Sequence, residues 1–455
     1  MRTIDAGALR DSLRSQLWPV PLGAVVIAVA LGQFLPFLDH LLDDSLPPVL
    51  SSVLFGGGSE AARSLLGTIA SSMITVTSLT FSLTVVTLQL ASSQFSPRLL
   101  RTFTSDRFVH NTLALFLATF SYALTVLRSI RVETSAGSGF VPELAVTFAF
   151  GLTLASVVGL VLFLAHLARQ IRVETMLRDV HRENDRTLDR IFPTDRRAAD
   201  AAVIPTTNGA SLAIHSSGFL LGVRPDATLA AAVKADAFVV VDALPGTSLV
   251  HGMPFARAWS TDGQPLDGPH LSGLEDALND AVRTGFERTS TQDVGFGLQQ
   301  LLDVMNKALS PGVNDPTTAV HALGHISAVL SDVGRRSTGP ETLLDDEGRP
   351  RAVLAYPTFV QLLDLAMDQV VTYAFTDPRT AERAVAMLQE IAITSGGALP
   401  IDHRTALLRH TDRTRGAINA STLDASIRAQ LVASVVAAET AARQRDVAKS
   451  AGKSD

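Results

Sequence analysis

The sequence has no cysteine among its 455 residues. This absence excludes disulfides, thiolate zinc sites, iron–sulfur clusters and cysteine nucleophiles, and it leaves the redox compartment open. The net charge of −6 argues against a nucleic-acid partner. The chain also lacks a GxSxG nucleophile elbow, a GxxxxGKS/T phosphate loop and a dinucleotide fingerprint after a strand. We therefore predict that it is not an enzyme, and we expect no cofactor.

Charge is absent from one long stretch of the chain. Between Gly67 and Phe95 there is no Asp, Glu, Lys, Arg or Pro, and this run exceeds the ~20 apolar residues that a bilayer crossing requires. Three further apolar runs cover residues 17–38, 111–127 and 144–167. The predicted fold class is therefore membrane α, a four-helix transmembrane bundle followed by a cytoplasmic α+β domain with a small β-module plus helices.

The flanking charges predict the orientation of these spans. The N-terminus, the loop around Arg98 and the segment after Leu167 are basic, whereas the loop of residues 39–60 has acidic residues and no Lys or Arg. Because basic loops stay on the cytoplasmic side, we expect a multi-pass protein of the plasma membrane with both termini in the cytoplasm. Arg128 and Arg131 on the outer side are discordant with this rule.

The second span carries small polar residues at steps of three and four, which predicts one hydroxyl and amide row along a helix. We call this row the polar stripe; its candidate pore-lining or helix-packing residues are Ser64, Thr68, Ser71, Thr75, Ser78, Ser82, Gln89 and Ser93. A second row, the threonine row, falls roughly opposite and consists of Thr77, Thr80, Thr84 and Thr87. Because polar side chains need partners in hydrocarbon, we expect this helix to be the inner helix of the bundle.

The polar stripe has two interpretations. Serine and threonine hydroxyls can bond back to the carbonyl three or four residues earlier, and small side chains let membrane helices approach closely. This packing interpretation needs no pore. Alternatively, the stripe lines a water-filled or ion-conducting path, with Arg98 and Arg101 at its cytoplasmic mouth or in contact with lipid head groups. Ordinary topogenic charge also accounts for these two arginines.

Composition divides the chain into five segments. We predict a four-span transmembrane domain at 1–168, a charged helical extension at 169–192, a small β-rich module at 193–265, a helical cytoplasmic domain at 266–447 and a disordered tail at 448–455. The β-rich segment has short alternating runs punctuated by glycine and proline. The helical segment has several amphipathic patterns.

A few polar residues in the helical segment are candidates for a helix cap or a metal site. Asn314 and Asp315 precede Pro316, an arrangement typical of a turn and a helix N-cap. His321 and His325 lie at i and i+4, the spacing that points two imidazoles at one metal ion. Without the glutamate of a zinc-protease motif they are weak metal candidates, and the third ligand would have to come from Asp315, His403 or His410. We therefore predict packing or surface histidines and no metal.

Two further stretches carry a family resemblance. They are LQLASSQFSPRLLRTF at Leu88–Phe103 and ALSPGVNDPTTAVHAL at Ala308–Leu323. Together they resemble the bacterial predicted inner-membrane protein family called domain of unknown function 2254, and the similarity extends over nearly the whole chain. The resemblance implies an inner-membrane protein without an assigned activity, and it implies no catalytic residue.

Two function classes follow from these features. The first is a homo-oligomeric channel or transport-like module lined by the polar second span. The alternative is a membrane-anchored scaffold or sensor whose cytoplasmic domain binds a protein partner without conduction. The expected partners are membrane lipid, further copies of this chain and an unidentified cytoplasmic protein.

Overall fold

The structure is a computed structural model that describes residues 18–42, 54–94, 106–131, 140–170, 172–194, 204–205, 209–261, 266, 268–395 and 400–443. The helices are α1 Pro19–Leu42, α2 Ser59–Gln94, α3 Arg107–Ser129, α4 Glu143–Gln170, α5 Val173–Ile191, α6 Pro225–Lys234, α7 Gly268–Ala281, α8 Val294–Ala308, α9 Pro316–Val333, α10 Phe359–Tyr373, α11 Pro378–Thr394, α12 Ile401–Ala420 and α13 Ala425–Arg443. The strands are β1 Ala210–Ala213, β2 Gly218–Val223, β3 Ala237–Val241, β4 Ser248–Leu249, β5 Pro254–Ser260, β6 Val282–Gly285, β7 Glu341–Leu344 and β8 Pro350–Leu354.

Within these described ranges, four helices are long and apolar enough to cross a membrane. They are Pro19–Leu41, Ser59–Leu90, Arg107–Ser129 and Glu143–Gln170. The predicted four-span membrane fold, followed by a domain that combines helices with small sheets, is confirmed. The chain separates into two compact units, residues 1–172 and residues 173–455.

In the first unit, the third membrane helix is at the centre. Helix α3 packs against α1, α2 and α4. Its Tyr122 is fully buried and donates a hydrogen bond of 3.0 Å to the carbonyl of Ala145 on α4. The hydroxyls of Thr119 and Ser156 are hydrogen-bonded to each other at 3.0 Å across the same two helices. The expectation that the second span is the inner helix is therefore wrong for a single chain, because α3 buries side chains toward three neighbours.

The first span also caps the fourth. Asp39, near the end of α1, accepts hydrogen bonds from the backbone N–H groups of Leu144 at 3.1 Å and Ala145 at 3.0 Å. The first N–H groups of a helix have no partner within that helix, so a carboxylate from another helix takes the place of a local N-cap. This contact fixes one end of the bundle.

The second unit contains two small sheets. The larger has the order β1-β5-β3-β8-β7, and the smaller has the order β4-β2-β6. All pairs are antiparallel except β3 with β8, where Val239, Val240 and Val241 lie beside Ala352, Val353 and Leu354. The larger sheet thus combines strands of the predicted β-rich segment with two strands from residues 341–354. The run from Ala352 to Leu354 is apolar and buried, which suits a strand inside the sheet.

Helices account for the rest of the second unit. Helix α5 buries one face, including Leu177, Val180 and Leu188, against α8 and α9. Helix α9 in turn packs against α8 and α11, and α13 packs against α11 and α12. Helix α5 follows the fourth span directly in sequence, yet it belongs to the packed core of the second unit. The predicted tail at 448–455 lies outside the described residues.

Candidate functional site

Helix α2 buries one face against the rest of the membrane bundle. In its first half that face consists of apolar side chains: Ala62, Leu66, Ile69, Ala70 and Met73. In its second half the threonine row, Thr77, Thr80, Thr84 and Thr87, continues the same buried face. At ~100° per residue these positions stay on one side of the helix, so the packing of α2 changes from apolar to polar along its length.

The polar stripe lies on the opposite side of α2 and is exposed. Ser64, Thr68, Ser71, Thr75, Ser78, Ser82 and Gln89 are all exposed in the single chain. Ser93 is within α2, but its side chain lies outside the described residues, as do Arg98 and Arg101. The structure therefore separates the two polar rows: within the described part of the chain, the threonine row is buried and the polar stripe is exposed.

Several hydroxyls of the stripe are satisfied by the helix itself. Thr68 Oγ1 donates to the carbonyl of Ser64 at 2.8 Å, Ser71 Oγ to that of Thr68 at 3.1 Å, and Thr75 Oγ1 to that of Ser71 at 2.9 Å. Such back-bonding lowers the cost of a hydroxyl in hydrocarbon. It leaves the oxygen lone pairs free to accept from water or from a neighbouring helix.

Large apolar side chains flank the stripe on the exposed surface of α2. Ile74, Leu79, Phe81 and Val85 are between 40% and 54% exposed. Such residues suit contact with lipid tails or with another membrane helix. The outer surface of α2 is thus a narrow polar line between apolar borders.

The opposite ends of α3 and α4 meet in a polar cluster. Asp106 is the N-cap of α3, where its carboxylate accepts from the Phe108 N–H at 2.8 Å. Its other oxygen lies 2.6 Å from His166 Nε2 and accepts from the Gln170 side chain at 2.5 Å, both on α4. His166 also lies beside the Phe108 ring. This histidine is therefore a packed, hydrogen-bonded interface residue.

In the second unit, Asp315 is the N-cap of α9. Its Oδ1 accepts from the N–H groups of Thr317 and Thr318, both at 3.1 Å, and its Oδ2 accepts from Thr318 Oγ1 at 2.6 Å. The hydrogen bond from the Thr318 hydroxyl holds the pKa of Asp315 below its usual range. Asn314, just before it, has a left-handed backbone with φ of 48°, a conformation that asparagine tolerates better than most residues. Both residues form the turn into α9.

The two histidines of α9 have different surroundings. His321 is exposed, and its Nδ1 lies 3.9 Å from Glu174 Oε1 on α5. His325 is half-buried, and its ring centroid lies 5.0 Å from that of His181 on α5. The residues that the structure describes include no group of three His, Asp or Glu side chains arranged to hold a metal ion.

The other residues considered as third ligands serve different contacts. His403 stacks on Phe359 with ring centroids 4.2 Å apart, and His410 Nε2 lies 2.6 Å from Asp364. Burial lowers the pKa of both histidines, so both favour the neutral form. Together with the capping role of Asp315, these contacts tie all three residues to the helical core.

The chain matches a family described as Predicted membrane protein (DUF2254) over residues 14–390. The chain belongs to this family. It is thus a membrane protein of a family without an assigned function, as the motifs around the end of α2 and the start of α9 predicted.

Relatives of this DUF2254 protein occur in mycobacteria. Uncharacterised proteins of Mycobacterium tuberculosis and Mycobacterium bovis are each 32% identical to it over 390 residues. The aligned region covers 85% of this chain and 73% of each relative. No solved structure matches the chain.

Sequence reasoning missed two features of this DUF2254 protein that the fold brings together. Asp39 appeared only as an acidic residue of the first outer loop, whereas it caps α4 from the end of α1. His181 appeared only within a charged helix, whereas it contacts His325. In the second case a signal was present, because His181 lies on the same helical face as the apolar residues Leu177, Val180 and Leu188.

Proposed function

We propose that copies of this chain associate through the polar stripe and form a channel or transport-like module in the bacterial inner membrane. The observation that carries this proposal is the exposure of the stripe on a face of α2 that the described helices leave uncovered. A row of polar side chains facing lipid is unfavourable, because hydrocarbon offers no hydrogen-bond partners. A second copy or a water-filled path supplies those partners.

The borders of the stripe support a symmetric arrangement around it. Homo-oligomers commonly have closed symmetry, which repeats one surface around an axis. If α2 lies nearest that axis, the apolar side chains Ile74, Leu79 and Phe81 meet neighbouring copies while the hydroxyls of Ser78 and Ser82 face the axis. Small hydroxyl side chains allow the close approach that such packing requires.

The proposal includes an orientation and a set of partners. If all four candidate spans cross the membrane, both ends of the chain lie on the same side, and the basic flanks favour the cytoplasm for that side. Lipid contacts the outside of the bundle, where α1 and α4 expose large apolar side chains such as Phe34, Phe37 and Phe150. No enzyme activity and no nucleic-acid partner belong to this proposal.

A second candidate is a membrane-anchored scaffold or sensor without conduction. It is supported by the back-bonded hydroxyls of Thr68, Ser71 and Thr75, because these residues need no water to donate their hydrogen bonds. The second unit, residues 173–455, then acts as the module that binds a cytoplasmic protein. In this case the polar stripe packs helices together and nothing crosses the membrane.

Because the chain has no cysteine, single cysteines report directly on the polar stripe. We suggest Ser71→Cys, Ser78→Cys and Ser82→Cys in membranes, with the buried Ala70→Cys as the matched control. A channel predicts modification by a charged thiosulfonate at the stripe positions and not at the control. Disulfide dimers without modification favour the packed scaffold. If the stripe cysteines are not modified and form no disulfide dimers, association through this face is excluded. Gly56→Cys, labelled from outside intact cells, checks the orientation.

Ion flux through reconstituted protein tests conduction. Ser78→Leu narrows the path and makes it apolar, so flux is lost while the membrane fold persists, because apolar constrictions dewet. Phe150→Leu places the same side chain at an exposed apolar position of α4, where the proposal expects lipid, and should leave flux unchanged. Loss of thermal stability in Ser78→Leu instead, typically by ~1–3 kcal/mol, indicates overpacking between helices and supports the scaffold.

A further inference from the structure

The contact between α5 and α9 contains a pair of histidines. The rings of His181 and His325 lie 5.0 Å apart between centroids and are tilted by 60°. His181 Nδ1 is buried and has no hydrogen-bond partner, and the same is true of both amide atoms of Asn184, one turn further along α5. Asn184 is only 1% exposed and packs against Gly297 of α8. Buried polar atoms without partners weaken this junction, because each one has lost its hydrogen bonds to water.

His325 forms no ion pair with a carboxylate of the described residues. Besides His181, the charged and titratable groups on α5 are Glu174, Arg178, Asp179, Arg182, Glu183, Asp185, Arg186, Asp189 and Arg190. Those on the elements packed around this contact are Asp303 and Lys307 on α8, His321 and Asp332 on α9, Arg336 after α9, Asp364, Asp368 and Tyr373 on α10, and Arg379, Glu382, Arg383 and Glu390 on α11. Asp185 lies 3.6 Å from His181, and Arg336 pairs with Asp189 and Asp332. Arg383 pairs with Glu390. Among the described residues, no carboxylate lies within 4.0 Å of a His325 nitrogen.

A proton therefore has different effects on the two rings. On His181 it meets the Asp185 carboxylate, whose pKa is raised mainly by burial. On His325 it meets a half-buried site beside the imidazoles of His181 and His321, with no carboxylate of the described residues within 4.0 Å. Burial, followed by the charges of His181 and His321, lowers the pKa of His325. Two imidazolium rings in contact repel each other, and separation of the helices removes that repulsion.

We propose that the contact of His181 with His325 is a proton-sensing switch, in which acidification charges both rings and releases α5 from α9. The sign follows from linkage. A histidine whose pKa is lower in the closed contact binds more protons in the open state, so the contact is fully stable above the ordinary pKa of about 6.5 and weakens as the pH falls below it. Helix α5 begins at Val173, directly after the fourth span ends at Gln170. The switch thus acts on the segment that joins the membrane unit to the second unit in sequence.

The test uses the full chain in lipid nanodiscs with two spin labels. Arg178→Cys on α5 and Ala328→Cys on α9 are exposed positions, and the chain has no other cysteine. Distance distributions by double electron–electron resonance are compared at about pH 7.5 and about pH 5.5. We expect a longer-distance population at the lower pH, increased several-fold by His325 and by no more than about tenfold, because one histidine with an ordinary pKa of about 6.5 in the open state contributes at most a factor of about ten at one pH unit below that value. An unchanged distribution would overturn the proposal.

Substitution of the histidines shows whether they are the sensors. In His181→Gln with His325→Gln the acid-induced population should disappear, whereas the exposed His251→Gln should retain it. If the distance distribution of the double variant differs from that of the parent at about pH 7.5, the single variants His181→Gln and His325→Gln provide the test instead. In each of them the one remaining imidazole cannot form the repelling pair. An acid-induced population that persists at full size in both single variants would refute the role of this pair. The result is independent of whether the protein conducts ions.

Discussion

At the scale of residues, the two polar rows of α2 differ in how their hydroxyls are satisfied. In the threonine row, Thr77 and Thr84 donate back to the carbonyls of Met73 at 2.6 Å and Thr80 at 2.8 Å. The Thr80 hydroxyl is fully buried and has no hydrogen-bond partner. An unmade hydrogen bond at a buried group costs more than a typical bond contributes. Thr80 is therefore a destabilising residue on the buried face of α2.

We predict that Thr80→Val stabilises the protein. Valine has nearly the same shape and removes the unpartnered hydroxyl, so the free energy of unfolding should rise by about 1 kcal/mol. The thermal midpoint in detergent measures this change. Thr84→Val is the matched control one turn away, because it removes a hydroxyl that is hydrogen-bonded. Equal loss of stability in both variants would show that the Thr80 hydroxyl has a partner after all.

At the scale of elements, the sequence predicted which helices exist better than it predicted how helices and strands pack together. The spacing of Ser64, Thr68 and Ser71 predicted a polar helical face, but it did not indicate that α3 occupies the centre of the bundle, because burial depends on side chains from three other helices. Strand β8 was hidden for a related reason. Its run from Arg351 to Leu354 is too short to identify by periodicity, and its parallel partner β3 lies far away in sequence. Contacts between distant segments were what the sequence could not supply.

The start of α9 provides a prediction at this scale. Asp315→Ala removes three hydrogen bonds from the N-cap and should lower stability by about 1 kcal/mol, whereas Asp315→Asn keeps an acceptor and should lose less. Because the pKa of Asp315 is lowered in the folded state, its stabilisation is present above the ordinary value of about 3.9 and is lost as the pH falls through the folded value. The difference in thermal midpoint between parent and Asp315→Ala should therefore narrow on acidification. A difference that is independent of pH would contradict the role of the carboxylate charge.

At the scale of the whole molecule, the chain combines a membrane unit with a larger second unit. The sequence placed the charged helix after the fourth span in a separate extension at 169–192, and the division between the compact units falls at 172/173. Charge on the exposed face of α5 made it resemble a free solvated helix. Its other face buries Leu177, Val180 and Leu188 against α8 and α9, which makes α5 an integral part of the second unit.

This assignment predicts how fragments behave. A fragment of residues 173–455 should unfold in one cooperative transition at neutral pH, because it retains the buried face of α5. A fragment of residues 195–455 lacks that face and should be less stable, since each fully buried aliphatic side chain contributes about 1.5–3 kcal/mol. Chemical denaturation of both fragments measures the difference, and a synthetic peptide of residues 173–194 added to the shorter fragment should restore part of it. Equal stability of the two fragments would mean that α5 contributes nothing to the free energy of unfolding of the second unit. In that case the domain would begin after α5, and a proton-driven release of α5 would cost the second unit nothing.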